Sequence, residues 1–163
     1  MINLQKALDA LRDSGVEFVL IGGAAMVAHG SAQVTQDLDI CYERSRENIS
    51  RLARALAPTH PRLRGAPGDL PFRFDVETIE RGLNFTLTTD FGDLDLMGEV
   101  AGLGPYSAVR AASESMLVFG ESCKLLSLVG LIKAKKAAGR PRDLAAVAEL
   151  EALRELRRKL GNK

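Results

Sequence analysis

The chain has 163 residues, 46% of them hydrophobic and 26% charged, with a formal net charge of +1. That is enough chain for one globular domain with its own core, and the charge balance excludes a polycation that would hold nucleic acid by its overall field. No apolar run approaches the about 20 residues of a membrane span, and Gln5, Lys6, Asp9 and Arg12 break up the N-terminal segment where a signal peptide would be apolar.

Leu4, Ala7, Leu8 and Leu11 recur at helical spacing, with Gly15 as a stop. Residues 16–21 (VEFVLI) read as a strand buried on both faces, broken by Gly22-Gly23. A short helix is expected from Ala24 to His29, closed by Gly30, and an alternating strand over 36–42 (QDLDICY). Ser45 is placed to cap a helix through Ile49, Leu52, Ala53 and Leu56. The stretch 58–71 carries Pro58, Pro61, Pro67 and Pro71 with Gly65 and Gly68, and reads as mostly loop. Asp75 caps a short helix that ends at Gly82. Residues 83–89 and 93–97 then form a hairpin across Asp90-Phe91-Gly92. Short strands are expected at 116–119 and 124–126. Ser127 caps a helix to Ala138, stopped by Gly139 and Pro141, and Asp143 opens a final helix with Leu150, Leu153, Leu156 and Leu160. This order predicts an α+β fold, a mixed sheet packed with helices, as a single domain over 1–163: a core over 1–105 and a C-terminal strand and helical part over 106–163.

Asp37 and Asp39 are two apart on a strand, so their carboxylates share a face while Leu38 and Ile40 take the other. Neighbouring like charges on a strand repel. A divalent cation with a preference for oxygen, Mg²⁺ or Mn²⁺, would remove that cost; a solvated acidic edge is the plainer alternative. Gly22-Gly23, between an apolar strand and a short helix, lets backbone N–H groups approach phosphate oxygens. Asp93 and Asp95 repeat the alternation on the hairpin, and alternation alone does not choose between them.

Lys124, Lys133, Lys135, Lys136, Arg140 and Arg142 follow one another with no intervening acid. Lys135 shares a helical stripe with Leu128, Leu131 and Ile132. An ammonium there must snorkel or meet an anion, either a nucleotide phosphate or Asp143. Arg62, Arg64 and Arg73 read as members of a solvated loop that could alternatively grip an acceptor. Cys41 and Cys123 belong to no ligand cluster and read as free thiols of a reducing cytoplasm, His29 and His60 as structural or exposed. Aromatic residues are 5% with no Trp, which argues against a stacking platform for single-stranded RNA.

Strand, Gly22-Gly23, short helix and then Asp37-Leu38-Asp39-Ile40 resemble the signature of the nucleotidyltransferase superfamily that includes DNA polymerase β, and Gly92-Asp93-Leu94-Asp95-Leu96 resembles its third-carboxylate strand. Residues 127–143 (SLVGLIKAKKAAGRPRD) are similar to those of small bacterial proteins related to nucleotidyltransferase toxins of toxin–antitoxin systems. The resemblance implies metal ligands at Asp37, Asp39 and Asp95, with Mg²⁺ or Mn²⁺ as cofactor. It implies nucleotide contacts at Gly22, Gly23, Lys135 and Arg140. The reaction would move a nucleoside monophosphate from a nucleoside triphosphate to a hydroxyl of a small molecule, an RNA or a protein, in the cytoplasm and without a membrane. Many superfamily members carry Ser after the first Gly, where this chain has Gly23. That departure opens a second reading, a catalytically degenerate nucleotide-binding module or a module that binds a protein partner in a toxin–antitoxin-type pair.

Overall fold

The computed structural model describes residues 1–161, so Asn162 and Lys163 of the expected domain lie outside it. The apolar strands form one mixed sheet of seven strands, ordered β3-β4-β5-β2-β1-β9-β8. These are β1 (Phe18–Ile21), β2 (Asp37–Tyr42), β3 (Arg62–Leu63), β4 (Phe85–Thr89), β5 (Gly92–Met97), β8 (Ser113–Val118) and β9 (Glu121–Leu126). A separate pair, β6 (Glu99–Val100) and β7 (Gly104–Pro105), follows β5. The central strands β5, β2, β1 and β9 pair parallel, antiparallel and parallel in turn. The sheet is therefore mixed, as the order of elements predicts.

Among the described residues there are seven α-helices: α1 (Leu4–Asp13), α2 (Gly22–Ala28), α3 (Arg46–Leu56), α4 (Val76–Arg81), α5 (Tyr106–Ala111), α6 (Leu128–Ala138) and α7 (Pro141–Lys159). The cap residues act as their types dictate. Ser45 Oγ accepts from Asn48 N, Asp75 Oδ1 from Thr78 N, and Ser127 Oγ from Gly130 N. Gly139 ends α6 in the left-handed region at φ 69°. Leu8, Leu11, Leu38, Ile40, Leu52, Leu94, Leu96, Leu131 and Leu150 meet in one buried cluster. Each such side chain stabilises the fold by about 1.5–3 kcal/mol relative to exposure.

Several boundaries differ from the sequence reading, for local reasons. The Pro-rich stretch is not all loop. Ala57–Thr59 makes a 3₁₀ turn, and Arg62–Leu63 pairs with Leu87 and Thr88 as an edge strand. Pro61 is tolerated there because it sits at the start of the edge strand. The β4–β5 turn is two residues, Asp90-Phe91, because Gly92 already pairs with Thr89. The two short C-terminal strands are longer and form one hairpin around Phe119-Gly120, both at positive φ (52° and 80°), the backbone of a tight primed turn. Pro141, not Asp143, opens the last helix, as the fixed φ of proline suits its first position.

Candidate active site

The parallel pairing of β2 with β5 brings the carboxylates together. Its register sets Asp37 beside Asp93 and Asp39 beside Asp95. Pleating sends all of them to one face, while Leu38, Ile40, Leu94 and Leu96 fill the core behind. Asp37, Asp39 and Asp95 each offer an oxygen within 4.8 Å of the other two. Such crowding favours protonation. Burial first, and the Asp95 and Asp37 charges next, push Asp39 up to about 7. Burial and the Asp95 charge also raise Asp37.

Ile21, the last residue of β1, stands opposite Asp39, so the Gly22-Gly23 turn borders the cluster. Gly22 is at φ +63°, and a Cβ there would fall on the Asp39 carboxylate. The chain can turn beside these acids only with glycine at this position. A Cβ on Gly23 would stand 3.1 Å from Thr35 Oγ1. That hydroxyl donates to the Asp37 carbonyl at 2.7 Å. The missing side chain at 23 thus leaves its space to the Thr35 hydroxyl.

Arg64 is the residue that sequence reasoning assigned to solvent. The β3–β4 ladder continues through its backbone N–H, which donates to Thr86 O at 2.9 Å. Its Nη2 donates to Asp95 Oδ1 at 2.7 Å and to Leu87 O at 2.8 Å, and its Nε stands 3.4 Å from Asp93 Oδ2. Asp93 also accepts from Thr88 Oγ1 at 3.2 Å. Arg62 and Arg73 are exposed. The available signal was the alternation Arg62-Leu63-Arg64, one apolar residue between two bases, which is strand-like even among prolines.

Lys135 Nζ lies 3.5 Å from Asp143 Oδ1, and its charge draws the Asp39 pKa back down. Arg140 also turns to Asp143, through Nε at 2.6 Å, Nη2 at 3.2 Å and its backbone N–H at 3.2 Å. Asp143 is 1% exposed. The Arg140 side-chain bonds hold its carboxyl down at about 2 against the opposing effect of burial. Between this ion-paired group and Gly22 opens a cavity of about 190 Å³, walled by Ile21, Met97, Val100 and Leu131.

No protein-family model and no curated protein sequence matches the chain. Solved structures do. A candidate nucleotidyltransferase of Thermotoga maritima, TM1012, superposes with a TM-score of 0.53 at 16% identity, over 100% of this chain and 97% of that one. The chain has the nucleotidyltransferase fold. ANT(2″)-Ia, in a crystal complex with adenylyl-2″-tobramycin, gives a TM-score of 0.57 at 13% identity, over 96% of this chain and 95% of that one. The solution structure of the antibiotic-resistance factor ANT(2″)-Ia gives 0.54 at 15% identity, over 96% and 89%.

The donor set fits a divalent metal ion. All candidate ligands are carboxylate oxygens, the preference of Mg²⁺ and Mn²⁺. Asp39 Oδ1 is buried with no hydrogen-bond partner among the described residues. A buried acceptor without a partner is costly unless something else satisfies it.

Proposed function

We propose that the chain is a metal-dependent nucleotidyltransferase that moves a nucleoside monophosphate from a nucleoside triphosphate to a hydroxyl. The observation that carries this reading is the convergence of Asp37, Asp39 and Asp95, within 4.8 Å, beside a glycine turn that only glycine can make. Asp37 and Asp39 would hold Mg²⁺ or Mn²⁺, with Asp95 completing the ligand set. An ion bound there supplies charge stabilisation for the phosphoryl oxygens and the departing pyrophosphate.

The chain's own groups do the rest. Asp95 accepts the proton of the acceptor hydroxyl as that oxygen bonds to the α-phosphorus and the bond to pyrophosphate breaks. Gly22 lets the backbone come close to the bound phosphates. Lys135, with Arg140 beside it, draws the negative triphosphate toward the cluster. The acceptor we favour is a hydroxyl of a small molecule. ANT(2″)-Ia, a protein of nearly the same extent, is seen with adenylyl-2″-tobramycin, and the low aromatic content of this sequence argues against a stacking platform for RNA. A single domain and a cytoplasmic location complete the reading, in keeping with two free cysteines. No helix among the described residues is long and apolar enough to cross a membrane.

Calorimetric titration with each nucleoside triphosphate, with and without Mg²⁺, tests the reading. The expected result is binding that requires the metal, followed by pyrophosphate release with a suitable acceptor. Triphosphate binding indifferent to Mg²⁺ would count against it. One observation favours a second reading, a degenerate module that binds nucleotide or a protein partner in a toxin–antitoxin-type pair: the Arg64 guanidinium already sits on Asp95. That reading predicts no metal-dependent binding at all.

A further inference from the structure

Arg64 serves only part of the acidic cluster. Its fork reaches Asp95 Oδ1 and comes near Asp93 Oδ2, but Asp37 and Asp39 are left crowded and Asp39 Oδ1 has no hydrogen-bond partner among the described residues. The fork is itself incompletely seated. Arg64 Nε is buried and, at 3.4 Å from Asp93, makes no hydrogen bond among the described residues. Lys135 acts on Asp39 only through its field, so Arg64 is the cation in contact where four carboxylates gather, and it occupies an oxygen of the very residue that completes the proposed metal ligand set. A dication bonded to Asp37, Asp39 and Asp95 would bring two like-signed groups onto one carboxylate, and guanidinium and dication repel at that range. The guanidinium has somewhere to go. Asp93 lies outside the three-carboxylate cluster, on the same face, and already holds Thr88 Oγ1.

We propose that Arg64 is a resident counter-ion of the metal-free site, displaced from Asp95 when metal binds and retained by Asp93. This rests on the nucleotidyltransferase reading of the cluster. In the free protein the ion pair neutralises Asp95 and holds the strand–loop segment around β3 against the site. Metal entry breaks that pair, so occupancy of the site and the position of this segment are coupled. Arg64 then sets the metal concentration at which the site fills. Asp93, which nothing in the metal ligand set requires, has the role of holding the displaced guanidinium.

The test uses Mn²⁺ alone with the full chain, followed by electron paramagnetic resonance. Arg64→Gln should tighten the Mn²⁺ dissociation constant by about tenfold or more, the weight of one charge-assisted hydrogen bond. Arg62→Gln removes the same charge from an exposed position two residues away and should change it far less. In the wild-type protein labelled with ¹⁵N-arginine, the Arg64 Nε–H resonance should shift on addition of Mg²⁺ without nucleotide. Unchanged or weaker Mn²⁺ binding by Arg64→Gln, while the wild type binds, overturns the inference and leaves the metal reading standing. Equal tightening by both variants also overturns it, since the long-range field would then suffice. Failure of both proteins to bind Mn²⁺ removes the metal reading and this inference together. If Arg64→Gln does not fold, the resonance measurement on the wild type decides alone: no shift on Mg²⁺ binding means no displacement.

Discussion

The Asp39 carboxylate occupies the space that a side chain at residue 22 would need. The strand-to-helix turn and the β2 strand that carries Asp37 and Asp39 are thereby locked to one geometry. Gly22→Ala must either push Asp39 aside or move the turn, and it places alanine at φ +63°. The left-handed backbone alone costs about 1–2 kcal/mol, and the collision adds to it. We expect a lower melting temperature and weaker Mn²⁺ binding together. Gly23→Ala meets only Thr35 Oγ1, at 3.1 Å, and should cost less than half as much. Gly22→Ala with the parent's melting temperature would show that the turn is not so constrained.

The crowded carboxylates make the metal-free protein sensitive to pH. Asp39 has a folded pKa of about 7, raised from 3.8. The folded state thus keeps a proton that the unfolded chain gives up above about 3.8. The stability this protonation contributes is complete below that pH and is lost as pH rises through about 7. On the proposed metal reading Mg²⁺ would replace the proton, so the rise in melting temperature on adding Mg²⁺ should be small at pH 5 and grow toward pH 8. Asp39→Asn should remove both the pH slope in this window and the Mg²⁺ effect, while the protein stays folded. A Mg²⁺ effect that persists in Asp39→Asn would rule out this residue as a ligand.

Alternation along β5 does not separate Asp93 from Asp95, but the positions of their carboxylate oxygens do. Asp95 joins Asp37 and Asp39 within 4.8 Å, and Asp93 does not. Asp95→Ala should abolish nucleotidyl transfer. Asp93→Ala should keep most of it, because that carboxylate contacts Thr88 and Arg64 rather than the cluster. Rates measured by pyrophosphate release in both variants check this, and the reverse pattern would move the third ligand to Asp93.

Much of this arrangement is legible in the sequence because it rests on short-range rules. Period-two alternation places Asp37 with Asp39 and Asp93 with Asp95, and the capping residues Ser45, Asp75 and Ser127 mark their helices. Which strands lie side by side is a long-range matter. That β5 pairs parallel with β2, in the register that makes a cluster out of two acidic pairs, depends on the packing of the whole sheet. Arg64 was missed for the same reason. Its contacts with Asp95 and Leu87 span 31 and 23 residues, and the prolines around it leave only the brief alternation Arg62-Leu63-Arg64 as a strand signal. The short helix α5 and the β6–β7 pair were also not foreseen. They are too brief to show a period, and α5 is held by the burial of Val109.

Lys135 offers the last decision, because its ion pair is not the only one Asp143 has. On the apolar stripe of α6, Nζ lies 3.5 Å from Asp143 Oδ1. Arg140 supplies three closer donors to the same carboxylate, the shortest at 2.6 Å. Lys135→Met keeps the packed stem and removes the ammonium, and Asp143 remains satisfied. The loss of stability should therefore be small, within about 1 kcal/mol, the scale of an ion pair that is not fully buried. Affinity for a Mg²⁺-triphosphate complex should fall by about 1.5–3 kcal/mol if the ammonium meets a phosphate. Asp143→Asn is the counterpart. It removes the one anion that Lys135 and Arg140 share, itself 1% exposed, so the melting temperature should fall further than in Lys135→Met, with triphosphate affinity unchanged or improved. Measuring both quantities on both variants separates the roles. If Lys135→Met melts as early as Asp143→Asn and binds triphosphate as tightly as the parent, then Lys135 is a structural partner of Asp143, and phosphate recognition by α6 has lost its principal residue.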